Sequence, residues 1–163
     1  MSDQLEIFLR LLVAMLIGCA IGIDHNLRGK PTGMKTLGLV ALGSALATMA
    51  SMNFAITSGG YSHDAASRAI QGVITGIGFL GAGVIVHERT SEKVRGLTTA
   101  ASIWVTAAVG IVCGLGWWQV ALMATALILL LFVLGRKIES ALHHRWMEKT
   151  DRERADISLH DEA

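Results

Sequence analysis

The stretch Arg95-Gly96-Leu97-Thr98-Thr99 brings a guanidinium, a chain-breaking glycine and two hydroxyls to the head of an apolar run. Gly96 ends what comes before, and Thr98 or Thr99 is expected to cap the helix that follows. A helix start presents partial positive charge and free N–H groups, so beside Arg95 it suits an anionic group. The plainer reading is a capped helix whose arginine rests on lipid headgroups. Near the N-terminus Glu6 and Arg10 stand four residues apart, acid first, and share a helix face. An ionisable residue inside a membrane is a functional candidate by default, because leaving it unpaired costs several kcal/mol. Against that, Arg10 can snorkel outward with Glu6 neutralising it. Asp24 closes the first apolar run, with Arg28, Lys35 and Arg95 as available partners; cation binding is the other role open to it. His25, His87, Asp24 and Glu88 end helices on the same side, but no His/Cys pair has ligand spacing, so solvated interfacial residues are expected and no metal site. No Ser/His/Asp grouping, nucleotide loop or paired carboxylates in a polar setting occurs, which points away from an enzyme and from a cofactor.

The elements that must position these residues are membrane helices. Of 163 residues 52% are hydrophobic, and the mean hydropathy is +0.52, beyond an ordinary soluble domain. Five apolar runs approach the roughly 20 residues that a bilayer core requires: residues 5–23, 36–57, 69–86, 97–113 and 117–135. The expectation is an all-α polytopic bundle of about five transmembrane helices in residues 1–137. Residues 138–163 then form a cytoplasmic amphipathic segment and a solvated, disordered tail. Lysines and arginines collect on one side, with Arg28, Lys30 and Lys35 in one connection, Arg89, Lys93 and Arg95 in another, and Arg136 and Lys137 after the last run. That side is expected to be cytoplasmic, with the N-terminus periplasmic and the C-terminus cytoplasmic. Cys19 and Cys113 fall near opposite faces and are expected to be free thiols.

Within residues 70–86 stand Gly72, Gly76, Gly78, Gly81 and Gly83. Gly72, Gly76 and Gly83 lie within about 40° of one another on a helix, and Gly78 and Gly81 on the opposite side. Two smooth faces predict a central helix packed between others. Gly18 and Gly22, with Ala14, make a further close-packing stripe, and Gly38, Ala41, Ala45 and Thr48 share a comparable face. Leu127–Leu134 has large side chains all round and suits a peripheral, lipid-facing helix.

Residues 71–104 as a whole, a glycine-rich helix, a short charged hairpin and a basic helix start, resemble the MgtC/SapB family of bacterial inner-membrane proteins. The matching stretches are Gly29–Thr36 (GKPTGMKT), Ser67–Gln71, Gly76–Gly83 (GIGFLGAG) and Val94–Ala101 (VRGLTTAA). Family members commonly carry an arginine at the position of Arg10 and usually read Glu-Arg-Glu where Asp24-His25-Asn26 stands. They often have Asn-Thr in place of Thr98-Thr99. Longer members add a small cytoplasmic C-terminal domain, which this chain is expected to lack.

The resemblance implies a multi-pass protein of the bacterial inner membrane, adaptation to low magnesium and, in some pathogens, survival inside host phagocytes. It also implies restraint of the F-type ATP synthase as one mechanism. A regulatory protein that docks on that enzyme or another inner-membrane protein is therefore the first expectation. The lipid bilayer is its solvent, a homo-oligomer is compatible with it, and nucleic acid is not expected. An Mg²⁺ or other ion transporter or channel is the alternative, and a scaffold without ligand a third reading. Mg²⁺ sheds water reluctantly and favours carboxylates, whereas the mid-depth positions offer hydroxyls such as Ser44, Thr48, Thr75 and Thr106.

Overall fold

In a computed structural model the chain forms α1 (Asp3–Leu27), α2 (Met34–Thr57), α3 (His63–Val84), α4 (Leu97–Gly114) and α5 (Trp118–Met147). Two short strands, β1 (Val86–His87) and β2 (Val94–Arg95), pair antiparallel with Val86 opposite Arg95. The structure describes residues 3–30, 32–57, 63–87 and 94–147. The expected tail after residue 147, Glu88, and the Arg89 and Lys93 of the hairpin lie outside them. The contacts divide the chain into two units, Met1–Ala126 and Leu127–Ala163.

This is an all-α membrane protein. Among the described residues four helices, α1, α2, α4 and α5, are long and apolar enough to cross a bilayer. The fifth expected span, α3, is not one of them. It has the length, but its glycines add little hydropathy, and Arg68 and Gln71 sit within it.

The turns that join the helices are set by glycine. At the end of α1 Gly29 takes φ +63°, and the amides of Lys30 and Gly29 donate to the carbonyls of His25 and Asn26. At the end of α4 Gly116 takes φ +82°, and the amides of Trp117 and Gly116 donate to Val112 and Cys113. Both are Schellman endings, which reverse the chain while satisfying carbonyls that the helix cannot.

The centre of the first unit is α2 and α4, each packed against the other, α1 and α3. The small face of α2 makes this possible. A side chain at Gly18 of α1 would overlap the Leu37 carbonyl and come within 2.9 Å of the Ala41 Cβ. From the other side, a side chain at Gly110 of α4 would overlap the Ala41 carbonyl, and one at Gly114 would come within 2.7 Å of the Ala45 carbonyl. Leu37, Ala41, Ala45 and Thr48 are fully buried between the two neighbours. Gly22 likewise brings α1 onto the start of α2, within 2.5 Å of Met34 Cα for an added Cβ.

The expected central position of α3 is not observed. A side chain at Gly72, Gly76, Gly78 or Gly83 would meet nothing within 4 Å, and one at Gly81 only Ala100 at ordinary distance. The helix rests chiefly on α2 and α4, and most of its glycine backbone is left uncovered by the described residues. In the second unit, Leu127, Leu130, Leu131, Leu134, Ile138 and Leu142 are exposed along one stripe of the helix about 120° wide.

Cys113 is buried, Cys19 is half-buried, and both are free thiols. Cys19 packs on Gly38, where an added Cβ would come within 2.8 Å of its Sγ.

Candidate functional site

Two polar clusters mark the two ends of α1. At the end near Arg10, the guanidinium pairs with Glu6 one turn earlier. Its Nη1 donates to the Gly114 carbonyl of α4 at 3.0 Å. Gly114 is the last residue of α4, and the Schellman bonds leave its carbonyl without a helical partner. Arg10 supplies that partner and places a cation at the negative end of the helix dipole. The guanidinium lies flat against Gly116, where an added Cβ would stand 2.7 Å from Nη2. Arg10 therefore neither snorkels freely nor waits for a ligand: it ties α1 to α4.

The opposite end holds Asp24 and its neighbours. Asp24 is paired with Arg28 one turn on, Nη2 standing 2.7 Å from Oδ2 and 2.9 Å from Oδ1. Next to it His25 is fully buried, which corrects the expectation of a solvated interfacial histidine. Its Nδ1 lies 2.9 Å from the Thr32 carbonyl and 3.1 Å from the Thr32 hydroxyl. Its Nε2 lies 3.1 Å from the Ser102 hydroxyl of α4. Ser102 donates in turn to the Thr98 carbonyl at 2.7 Å. One ring thus joins α1, the α1–α2 connection and the first turns of α4.

This histidine was not legible as a node, because Ser102 is 77 residues away and no spacing marks it. Proton roles follow from the partners. A carbonyl only accepts, so the ring bonds Thr32 O through Nδ1–H. With Ser102 donating to Thr98, Nε2 also carries a proton; in a neutral ring with the proton on Nδ1, the Ser102 hydroxyl must turn from Thr98 to Nε2. The side chain of His87 and all of Glu88 lie outside the described residues. Among the described residues no three His, Cys, Asp or Glu side chains gather in reach of one ion.

The expected caps on α4 are replaced. Gly96 is the N-cap with φ +93°, and no side chain caps the helix. Thr98 is exposed, and Thr99 is buried within the bundle. The cause is close approach: an added Cβ at Gly96 would overlap the Val84 carbonyl at the end of α3. A left-handed glycine is the residue that fits there. Arg95, in β2, is exposed and precedes this start.

Two of the intramembrane hydroxyls are spent on their own helices. Thr48 donates to Ser44 O at 2.8 Å and Thr106 to Ser102 O at 2.7 Å. The structure thus gathers Asp24, Thr98, Thr99 and Arg95 toward one end of the bundle, and sets Glu6 and Arg10 at the other.

A helical membrane bundle without an assembled reaction centre among its described residues is the class these features define. A sequence profile of the MgtC family matches residues 11–141, and the chain belongs to that family. It is 46% identical over 135 residues to protein SrpB of Synechococcus elongatus, covering 79% of this chain and 74% of that one. To protein MgtC of Salmonella typhimurium it is 43% identical over 140 residues, 84% of this chain and 57% of the relative. An uncharacterized protein of Haemophilus influenzae is 39% identical over 147 residues, 88% and 61% of the two chains. The chain thus spans about three fifths of the last two relatives. No solved structure matches.

Proposed function

We propose that this chain is a non-enzymatic regulatory protein of the bacterial inner membrane, acting by docking its helices against another membrane complex. The observation that carries the reading is the pairing of its acids. Glu6 and Asp24, at opposite ends of α1, each face an arginine one turn away. Between them the buried hydroxyls of Thr48 and Thr106 bond to their own backbone. A hydrated divalent cation, which favours carboxylate and water ligands, has no chain of such groups to follow through these described residues. The uncovered glycines of α3 supply instead a surface on which another helix backbone can approach closely.

The F-type ATP synthase is the first partner to test, and adaptation to low magnesium and survival inside host cells are the settings in which the protein acts. In this reading the basic end of the bundle faces the cytoplasm. Arg95 and the start of α4, with Thr98 and Thr99, form the contact at that end. Inverted inner-membrane vesicles with and without the protein decide the matter, with ATP-driven proton pumping and Mg²⁺ flux followed together. Reduced pumping without Mg²⁺ flux is expected. Mg²⁺ flux with normal pumping overturns the reading in favour of transport and makes Asp24 and Glu6 the residues to examine.

A further inference from the structure

Between α2 and α3 runs an open groove of about 550 Å³, walled by Leu39, Val40, Ile77 and Leu80. It reaches down to backbone, since Gly43, Gly72 and Gly76 line it and have nothing within 4 Å of where a Cβ would be. One end opens on Lys35 and Thr36. These two residues also line a smaller cavity of about 320 Å³ with Asn26, Gly33 and Met34. The apolar groove and the polar cavity therefore meet at a shared mouth, and an exposed ammonium stands there.

The length of the groove and the charge at its mouth select the occupant. From Lys35 to Ser44 the α2 wall rises about 13 Å. One leaflet of a hydrocarbon core about 30 Å thick is about 15 Å deep, so the groove spans nearly one leaflet. An extended hydrocarbon chain running inward from a headgroup at the leaflet surface matches this length and the apolar walls. Charge sets the headgroup: Lys35 has no ion-pair partner among the described residues, and it shares its end of the bundle with Arg28 and Lys30. We propose that the α2–α3 groove binds one acyl chain of an anionic phospholipid, with the headgroup phosphate at the Lys35 ammonium and the Thr36 hydroxyl.

The test is intact-complex mass spectrometry of the full chain in detergent, loaded with phosphatidylglycerol or with phosphatidylcholine of the same acyl chains. One phosphatidylglycerol per chain is expected to survive conditions that strip phosphatidylcholine. Lys35→Gln should cut phosphatidylglycerol retention roughly fivefold, the effect of one lysine beside an anionic surface. Gly76→Leu fills the groove and should abolish retention of either lipid while helix content and melting stay unchanged. Should that variant fail to fold, Gly43→Leu on the opposite wall gives the same reading. Equal retention of the two lipids by the unaltered protein, or wild-type retention by the filled-groove variant, overturns the proposal. So does conversion of a cross-linked dimer to monomer by Gly76→Leu with lipid retention unchanged, which assigns the groove to a second copy.

Discussion

Removing the His25 ring should expose how α1 and α4 are joined at the basic end of the bundle. The ring is fully buried and stands within 2.9 Å of the Thr32 carbonyl and 3.1 Å of the Ser102 hydroxyl. In His25→Ala the Thr32 carbonyl loses its donor, at a cost of about 1–3 kcal/mol for a buried group left unmade. The Ser102 hydroxyl keeps the Thr98 carbonyl, so its share is smaller, about 1 kcal/mol. Together these predict a loss of about 3 kcal/mol for His25→Ala and about 1 kcal/mol for Ser102→Ala. Both single variants break the same ring–hydroxyl bond, so the double variant should lose about 3 kcal/mol rather than 4, a coupling of about 1 kcal/mol. Reversible unfolding in mixed detergent micelles, followed by far-ultraviolet circular dichroism, measures all four corners of the cycle. Additivity within about 0.3 kcal/mol would refute the bond between His25 and Ser102.

Three further outcomes are expected. Gly110→Leu should destabilise the bundle by about 3 kcal/mol or more, because the new side chain meets the Ala41 backbone, which cannot turn aside. Gly76→Leu, which sequence alone would place among the damaging changes, should accumulate at normal levels; comparable losses for the two would contradict this packing. Arg10→Met should cost about 1–2 kcal/mol by leaving the Gly114 carbonyl and the end of α4 uncapped. Arg10→Lys should recover part of that loss in the same unfolding assay. Arg95→Ala and Thr98→Ala should lose function while the protein still accumulates in the membrane. Full complementation of a deletion strain by both variants would remove the start of α4 from the functional surface.

Much of the bundle was legible because bilayer helices announce themselves by length and apolarity, and because small residues at four-residue spacing mark close approach. Gly18 and Gly22 fall where α1 meets α2. The same logic misplaced α3. Glycine spacing reveals that a helix is smooth, but it does not distinguish a neighbour in the same chain from another molecule or a lipid. The rule for Thr98 and Thr99 failed for a steric reason, since the end of α3 presses against the position that a capping side chain would organise. His25 escaped notice because a buried polar contact between distant segments leaves no periodic trace. Only its chemistry, a group costly to bury without partners, hinted that it must find some.

The two polar clusters together explain why one helix is fixed and another is left open. Arg10 and His25 lie 15 residues apart on α1, about 22 Å. Their partners Gly114 and Ser102 lie 12 residues apart on α4, about 18 Å in the opposite chain direction. The two helices therefore run antiparallel and are pinned at both ends by hydrogen bonds. Between the pins, α2 is held by glycine and alanine contacts that a single methyl group would disrupt. These contacts leave α1, α2 and α4 little freedom to rearrange when a partner arrives. α3 meets α4 through Gly96 and Ala100 and borders α2 across an open groove, so its backbone remains available. The proposed lipid can therefore be held there without unpacking the core.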